Sequence, residues 1–280
     1  MLRAGQHGGM GPPSNEVELG QANLIAFNRA QARWSTKGAV EEVDGCVLCA
    51  GGSWLPVVAN SAFRTGPAVS GSDLIAHAGS FFGGFARGFA VKVRDTGEDD
   101  DLRDSCAAAG LEQFGTPVPQ MIVLGALPDH RGVDGVALEP VDDEAGIADF
   151  VAVNAEAYAT YGMPGEVLPE LFDEAKAVVD DPAAHVVVAR REGVAVATAM
   201  TFESDGVASV QWVGTVSSSR GSGLGALVTT WATNLAFERG ASSCTLQASP
   251  MGEPIYRSLG YETIYRYAEY VRWPKPPGRS

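Results

Sequence analysis

The stretch SSSRGSGLGALVTTW, Ser217 to Trp231, decides how the rest of the chain is read. Three glycines alternate behind an arginine, and an apolar run with helical spacing follows. Unpaired N–H groups at a helix N-terminus sit at the positive end of the helix dipole and bind anions. Glycines let the chain bend there and let a phosphate come close. Arg220, Gly221, Ser222, Gly223, Leu224 and Gly225 therefore read as a pyrophosphate cradle, with Arg220 adding charge; the alternative is a plain strand-to-helix turn. A P-loop requires Gly-Lys-Ser/Thr, and this loop has no lysine. A dinucleotide site requires the first strand of a βαβ unit before the loop and an acid about 20 residues on. Here three antiparallel-looking strands precede it, and the next acid, Glu238, lies within the helix.

Upstream, HVVVARREGVAVATAMTFESDGVASVQWVGTV predicts three strands joined by tight turns at Glu192-Gly193 and Asp205-Gly206. Before them, GVALEPV reads as a strand. DDEAGIADFVAVNAEAYATYG reads as a helix with an acidic N-terminus, and LPELFDEAKAVVDD as a second helix. Downstream come the strand SSCTLQAS, the short helix EPIYRSLG with Pro254 in its first turn, and the strand YETIYRYAEYVRW. In the N-terminal half, residues 1–15 are Gly- and Pro-rich and are expected to be disordered. Asn15 to Trp34 is a predicted helix. VDGCVLCAGG and SWLPVVANSAFRTG are β-rich. Ser72 to Phe82 reads as a helix capped by Ser72 or Asp73, Gly88 to Arg94 as a strand, Leu102 to Ala109 as a helix ended by Gly110, and PQMIVLGAL as a strand. HRGVDG connects the halves. The halves echo each other: strand, loop, short helix, then Gly110-Leu111-Glu112 in one and Gly260-Tyr261-Glu262 in the other. In this duplication the first copy has no Arg-led glycine series; FFGGFARGFA keeps only Gly83, Gly84 and Gly88. It also has Cys106 where the second has Tyr256.

The chain has 280 residues, 45% of them hydrophobic, enough for one or two domains with real cores. Its formal charge of −14 argues against a nucleic-acid partner and would attract a cationic amine. No apolar run reaches membrane-spanning length, and the opening residues lack the apolar segment of a secretory leader. Cys46, Cys49, Cys106 and Cys244 have no disulfide-framework spacing, so a cytoplasmic location is expected. Cys46 and Cys49 form a lone CxxC whose members would face opposite sides of a strand. The histidines are scattered, DTGEDDD lacks the register of a Ca²⁺ loop, and no metal is expected.

GTVSSSRGSGLGALV resembles motif A of the GNAT N-acetyltransferases, Arg/Gln-x-x-Gly-x-Gly/Ala, with Arg220, Gly223 and Gly225 at the three fixed positions. The resemblance continues in order over residues 134–273 and includes SPMGEPIYRSLGYE, which is similar to the family's motif B. It implies a mixed central sheet flanked by helices, an α/β (α+β) class, and acetyl-CoA as co-substrate with no metal. It further implies that the strand before the loop splays from the next one. Pantetheine would then lie against Thr215 and Val216, and the pyrophosphate would meet the amides of Arg220 to Ala226. The amine attacks the thioester directly, with no acyl-enzyme. Tyr256 matches the family's general acid. Ser249 stands where the family often has Asn near the coenzyme, a departure that a hydroxyl could serve. No base is identifiable; Glu203 is the best carboxylate, although a solvated turn residue is the plainer reading.

The expected organisation is thus a disordered segment 1–15, a degenerate GNAT-like copy over 16–130, the acetyl-CoA-binding domain over 134–273 and a tail over 274–280. The expected activity is acetyl transfer to a primary amine of a small molecule or peptide. Two other readings stay open: an acyl-CoA-binding or regulatory protein without turnover, and a dinucleotide-binding oxidoreductase. Tyr261, Tyr265, Tyr267 and Tyr270 on the last strand could line an acceptor pocket, but a core or interface role is the plainer reading, and an interface would go with a homodimer. The N-terminal half is expected to shape the acceptor pocket or the interface.

Overall fold

The computed structural model describes residues 14–43 and 45–274. The expectations for residues 1–13 and 275–280 lie outside the described residues, while Ser14 and Asn15 open the first helix. The N-terminal half runs α1 (Ser14–Arg33), β1 (Ala39–Val43), β2 (Cys46–Ala50), the helical turn α2 (Pro56–Ala59), β3 (Asn60–Arg64), α3 (Gly71–Gly84), β4 (Phe89–Arg94), α4 (Asp100–Ala108) and β5 (Glu112–Val123). The C-terminal half runs β6 (Val136–Pro140), α5 (Glu144–Ala159), α6 (Val167–Leu171), α7 (Ala175–Val179), β7 (Ala184–Arg191), β8 (Val194–Ser204), β9 (Val207–Thr215), α8 (Leu224–Glu238), β10 (Ser243–Gln247), α9 (Glu253–Ser258) and β11 (Glu262–Arg272).

Turn chemistry builds the β7–β8–β9 meander. Glu192 and Gly193 have φ of 51° and 80°, and Asp205 and Gly206 have 49° and 76°. Positive φ at both central residues is the turn that matches strand twist. The other predicted elements are present with shifted ends. α3 is capped by Ser70, whose hydroxyl accepts the Asp73 N–H at 3.1 Å, rather than by Ser72 or Asp73. LPELFDEAKAVVDD forms two short helices, α6 and α7, instead of one. Within SWLPVVANSAFRTG, Pro56 starts a helical turn before β3 begins.

Among the described residues, eleven strands form one sheet in the order β1-β2-β3-β4-β11-β5-β10-β9-β8-β7-β6. Two pairs are parallel, β3 with β4 and β9 with β10, one in each half. Apart from the edge strand β6, which has no counterpart in the N-terminal half, the order is symmetric about the central antiparallel pair β5–β11. Each half sends its last strand across: β11 pairs with β4, and β5 pairs with β10. The halves share a sheet by exchanging strands. The sequence echo has matching geometry, since Leu111 N–H donates to Cys106 O and Tyr261 N–H to Tyr256 O, both at 3.0 Å. Gly110 and Gly260 follow with φ of 71° and 103°, values that a side chain would disfavour.

Helices cover both faces. On one, α8 packs on the C-terminal strands through Leu227, Val228 and Ala232, and α3 on the N-terminal strands through Leu74, Ala78 and Phe82. On the other, α1 bridges the halves: Phe27 and Trp34 pack with Phe172 and Phe202, while Leu24 and Ile25 pack with Phe63 and Ile122. Cys46 and Cys49 fall in different clusters, on opposite faces of β2. Among the described residues no group of His, Cys, Asp and Glu could hold a metal ion, and no helix is long and apolar enough to cross a membrane.

The loop before α3 occupies the place that the glycine loop has before α8. Gly83 and Gly84 instead lie at the far end of α3. Where an anion would meet the helix N-terminus, Asp101 accepts the Gly71 N–H at 3.3 Å and binds Arg64 at 2.9 Å. Beneath it, Asp99 is 2% exposed and bonds Arg64 at 2.8 Å and Arg94 at 3.1 Å. Burial alone would raise the Asp99 pKa, but hydrogen bonds from the Arg94 N–H and from both guanidinium groups outweigh it and hold the carboxyl below its ordinary value. A depressed folded-state pKa stabilises the protein above the unfolded pKa and ceases to do so as pH falls through the folded value. Asp99→Asn should thus cost about 3–5 kcal/mol at pH 7, because two buried guanidinium groups lose their common partner. The gap from wild type should narrow near pH ~3, below the unfolded carboxyl pKa of about 3.9. Urea unfolding at both pH values measures this; an equal gap at each would count against the network.

Candidate functional site

The site begins where two strands part. β9 and β10 pair in parallel from Val207–Ser243 to Val210–Leu246 and no further. β9 continues to Thr215 while bonded only to β8. A bulge starts the divergence: Thr198 faces Gly214 but Met200 faces Gln211, and Trp212 takes φ of 50°. Trp212 is fixed there by its indole N–H, which donates to Gln31 Oε1 of α1 at 3.0 Å. Past the bulge, the β10-facing edge of β9 has no strand partner, so its backbone groups can bond an extended ligand.

The glycine loop follows. Ser217–Ser219 form a 3-10 turn, and Gly221 and Gly223 take φ of 73° and 84° before α8 starts at Leu224. The first α8 N–H with a backbone acceptor is that of Leu227, bonded to Gly223 O at 3.0 Å. Among the described residues, the N–H groups of Gly221, Ser222, Gly223, Leu224, Gly225 and Ala226 have no protein acceptor. Six successive donors at a helix start are suited to an anion with several oxygens. A Cβ at Gly225 would lie 3.9 Å from both Thr215 Oγ1 and Ile255 Cδ1, which places this residue beside the end of β9 and α9. Arg220 is turned to the backbone. Its guanidinium donates to Thr215 O at 3.3 Å, Ala157 O at 3.1 Å and Thr160 Oγ1 at 3.3 Å. It therefore ties the loop to the C-terminus of α5, and the amides, more than its charge, make the cradle. Glu156 accepts from the Ser217 N–H and hydroxyl, both at 2.8 Å, and these bonds lower its pKa.

Below the loop lies a cavity of about 1000 Å³. Val210 to Val213 of β9 and Gln247 to Pro250 at the end of β10 line it, as does Tyr256 of α9. Tyr256 is 8% exposed, and burial, followed by the nearby Tyr158 and Tyr161, raises its phenol pKa well above the ordinary value. Its phenol therefore stays protonated and neutral at physiological pH. Ser249 Oγ accepts the Gly252 N–H at 3.1 Å and the Tyr161 hydroxyl at 3.0 Å, so it shapes the turn into α9 and holds a cavity-lining ring. Thr215 is half-buried at the end of β9, and Val216 is buried with its N–H on Val196 O at 3.0 Å. Glu203 is at the opposite end of β8, bonded to Arg239 at 2.5 Å and 3.5 Å from His185; it does not line the cavity and is set aside as a base.

The sequence reading gave the N-terminal half a part in shaping the acceptor pocket or the interface but named no residue for it. Trp54, Lys92 and Phe114 come from the N-terminal half and line the same space as Tyr256. They arrive through the strand exchange, which leaves no mark in local pattern. Trp212 is a bulge residue of a type that rarely takes positive φ, so no glycine announces it.

The model of the acetyltransferase (GNAT) family matches residues 152–261, which hold the end of α5, the meander, the loop, α8, β10 and α9. A search of the curated proteins found no match. Among solved structures, the chain is similar to a GCN5-related N-acetyltransferase from Kribbella flavida, at 22% identity and a TM-score of 0.67 over 92% of this chain and 96% of that one. A GCN5-related N-acetyltransferase from Sphaerobacter thermophilus is similar at 14% identity and TM-score 0.60, over 95% of each chain. A tandem GNAT protein from the clavulanic acid biosynthesis pathway is similar at 16% identity and TM-score 0.57, over 95% of this chain and 97% of that one. These likenesses extend the shared fold over nearly the whole chain. Residues 152–261 thus match the acetyltransferase (GNAT) family model, and the fold of GNAT structures extends over nearly the whole chain.

Proposed function

We propose that the protein is an N-acetyltransferase that passes the acetyl group of acetyl-CoA to a primary amine by direct attack. The observation that carries this reading is the parting of β9 from β10 directly below six unpaired helix-start amides. A phosphate-bearing ligand with an extended amide arm fits that combination, and a dinucleotide has no use for the open strand edge. In this reading the amides of Gly221 to Ala226 hold the pyrophosphate. Arg220 fixes their loop, Thr215 and Val216 flank the pantetheine arm, and Ser249 orders the turn beside it. Acetyl-CoA supplies the acyl group as a thioester. Tyr256 keeps its proton because it is buried, and gives it to the departing sulfur. A cytoplasmic setting accords with the thiols of Cys49, Cys106 and Cys244, which burial pushes up to about 12 and so keeps protonated.

Calorimetric titration with acetyl-CoA, beside NAD, should show binding of the first only. Gly223→Glu should abolish it, since the new side chain would be strained at φ of 84° and place a carboxylate in the cradle. Retained binding in the variant would reduce the loop to a turn. Tyr256→Phe should lower kcat by about 10²-fold, the usual worth of a positioned acid, with little change in acetyl-CoA affinity. Because the Tyr256 pKa is raised, kcat should show no alkaline loss from this group below about pH 10. An unchanged kcat in Tyr256→Phe would remove the phenol from the chemistry.

A further inference from the structure

The cavity carries more information than the loop about what enters from the other side. Trp54, Phe114, Tyr161 and Trp273 are 40%, 46%, 46% and 45% exposed, and all four line this one cavity. They come from four separate segments: the loop before α2, the strand β5, the turn after α5, and the residue after β11. Phe114 and Trp273 meet edge to face with ring centres 5.9 Å apart. Aromatic surface left open and converging from both halves marks a site that gains a ligand's apolar body.

The charges in the cavity are balanced among themselves. Its ionised side chains are Lys92, Glu253, Arg266 and Glu269. Lys92 and Glu269 pair with each other, each 7% exposed. Glu253 takes Arg257 at 2.7 Å and Arg266 at 3.1 Å. Among the described residues lining the cavity, each carboxylate already holds a cation, and the chain's excess negative charge lies elsewhere. A polycation would have to strand buried Lys92 by taking Glu269, or compete with two arginines for Glu253.

We propose that the acceptor is a primary amine on an aromatic or alkyl body without a second charge, seated between the aromatic residues of the two halves. This rests on the acetyl-transfer reading above. The apolar wall favours the uncharged amine, which is the nucleophilic form, and this replaces a dedicated base. The nitrogen lone pair forms the C–N bond at the thioester carbonyl and the C–S bond breaks. The sulfur takes the Tyr256 proton, and the proton released from nitrogen passes to solvent, from which Tyr256 is recharged.

Calorimetry with 2-phenylethylamine, octylamine and spermidine, with and without saturating CoA, tests this. The first two should bind at least ~10-fold more tightly than spermidine, and Trp54→Ala and Phe114→Ala, both at exposed positions and expected to keep the wild-type Tm, should weaken them ~10-fold, or about 1.4 kcal/mol. Spermidine binding equally well or better, no binding of either apolar amine, or no effect of both variants would overturn the proposal. The acetyl-CoA titration of the wild type reports separately on the acetyl-transfer reading, because the amine contacts are with protein side chains and are read without turnover.

Discussion

The exchange of β5 and β11 is the constraint from which the rest of this molecule follows. A half without the other's last strand would expose the edge of β4 or of β10, a row of unpaired backbone groups in the middle of a sheet. With the exchange made, the two strands pair at the centre from Glu262–Ile122 to Val271–Glu112. The buried ion pair of Lys92 and Glu269 lies on this crossing, one partner on β4 and the other on β11. Pro117 and Pro119 lie in β5 beyond its pairing with β10, which covers only Gln120 to Val123, so on that side their missing N–H groups cost no ladder bond. That same gap is where the cavity opens. The cavity is therefore a product of the exchange and belongs to neither half.

The second determinant is local. One extra residue on β9 turns the strand away from β10, and Gln31 of α1 secures the turned residue, Trp212. Two strands that continued in register would have filled the space with their own hydrogen bonds. By parting, they leave a backbone edge under the amides of α8. The arginine at the head of the loop then has a mechanical part, holding Thr215 and the last turn of α5 to one guanidinium.

Much of this was legible in the residues. The paired-turn dipeptides at 192–193 and 205–206 fixed the meander, and the alternating glycines before an apolar run marked the helix start. Even the weak echo between Gly110-Leu111-Glu112 and Gly260-Tyr261-Glu262 corresponds to the same helix-ending bond in both halves. What stayed hidden depends on contacts far apart in sequence. β11 reads as a closing strand of its own half because its alternation says only that it pairs, not with what. The full length of β5 was missed for a related reason: Glu112 to Val118 is a mixed, Gly- and Pro-containing sequence without clear alternation, and it pairs with β11 beside it. Glu203 looked close to the site in sequence and is separated from it by the length of β8.

The side chain that meets the N-terminus of α3 has a consequence for counting. Duplication gives this chain two parallel-strand-and-helix units, each with a helix start that could take an anion. In the first unit, Asp101 supplies that negative charge from within, and Arg64 neutralises what remains. A phosphate arriving there would meet a carboxylate already in place. On the proposed reading the expected stoichiometry is one polyphosphate ligand for each molecule, although the architecture is present twice.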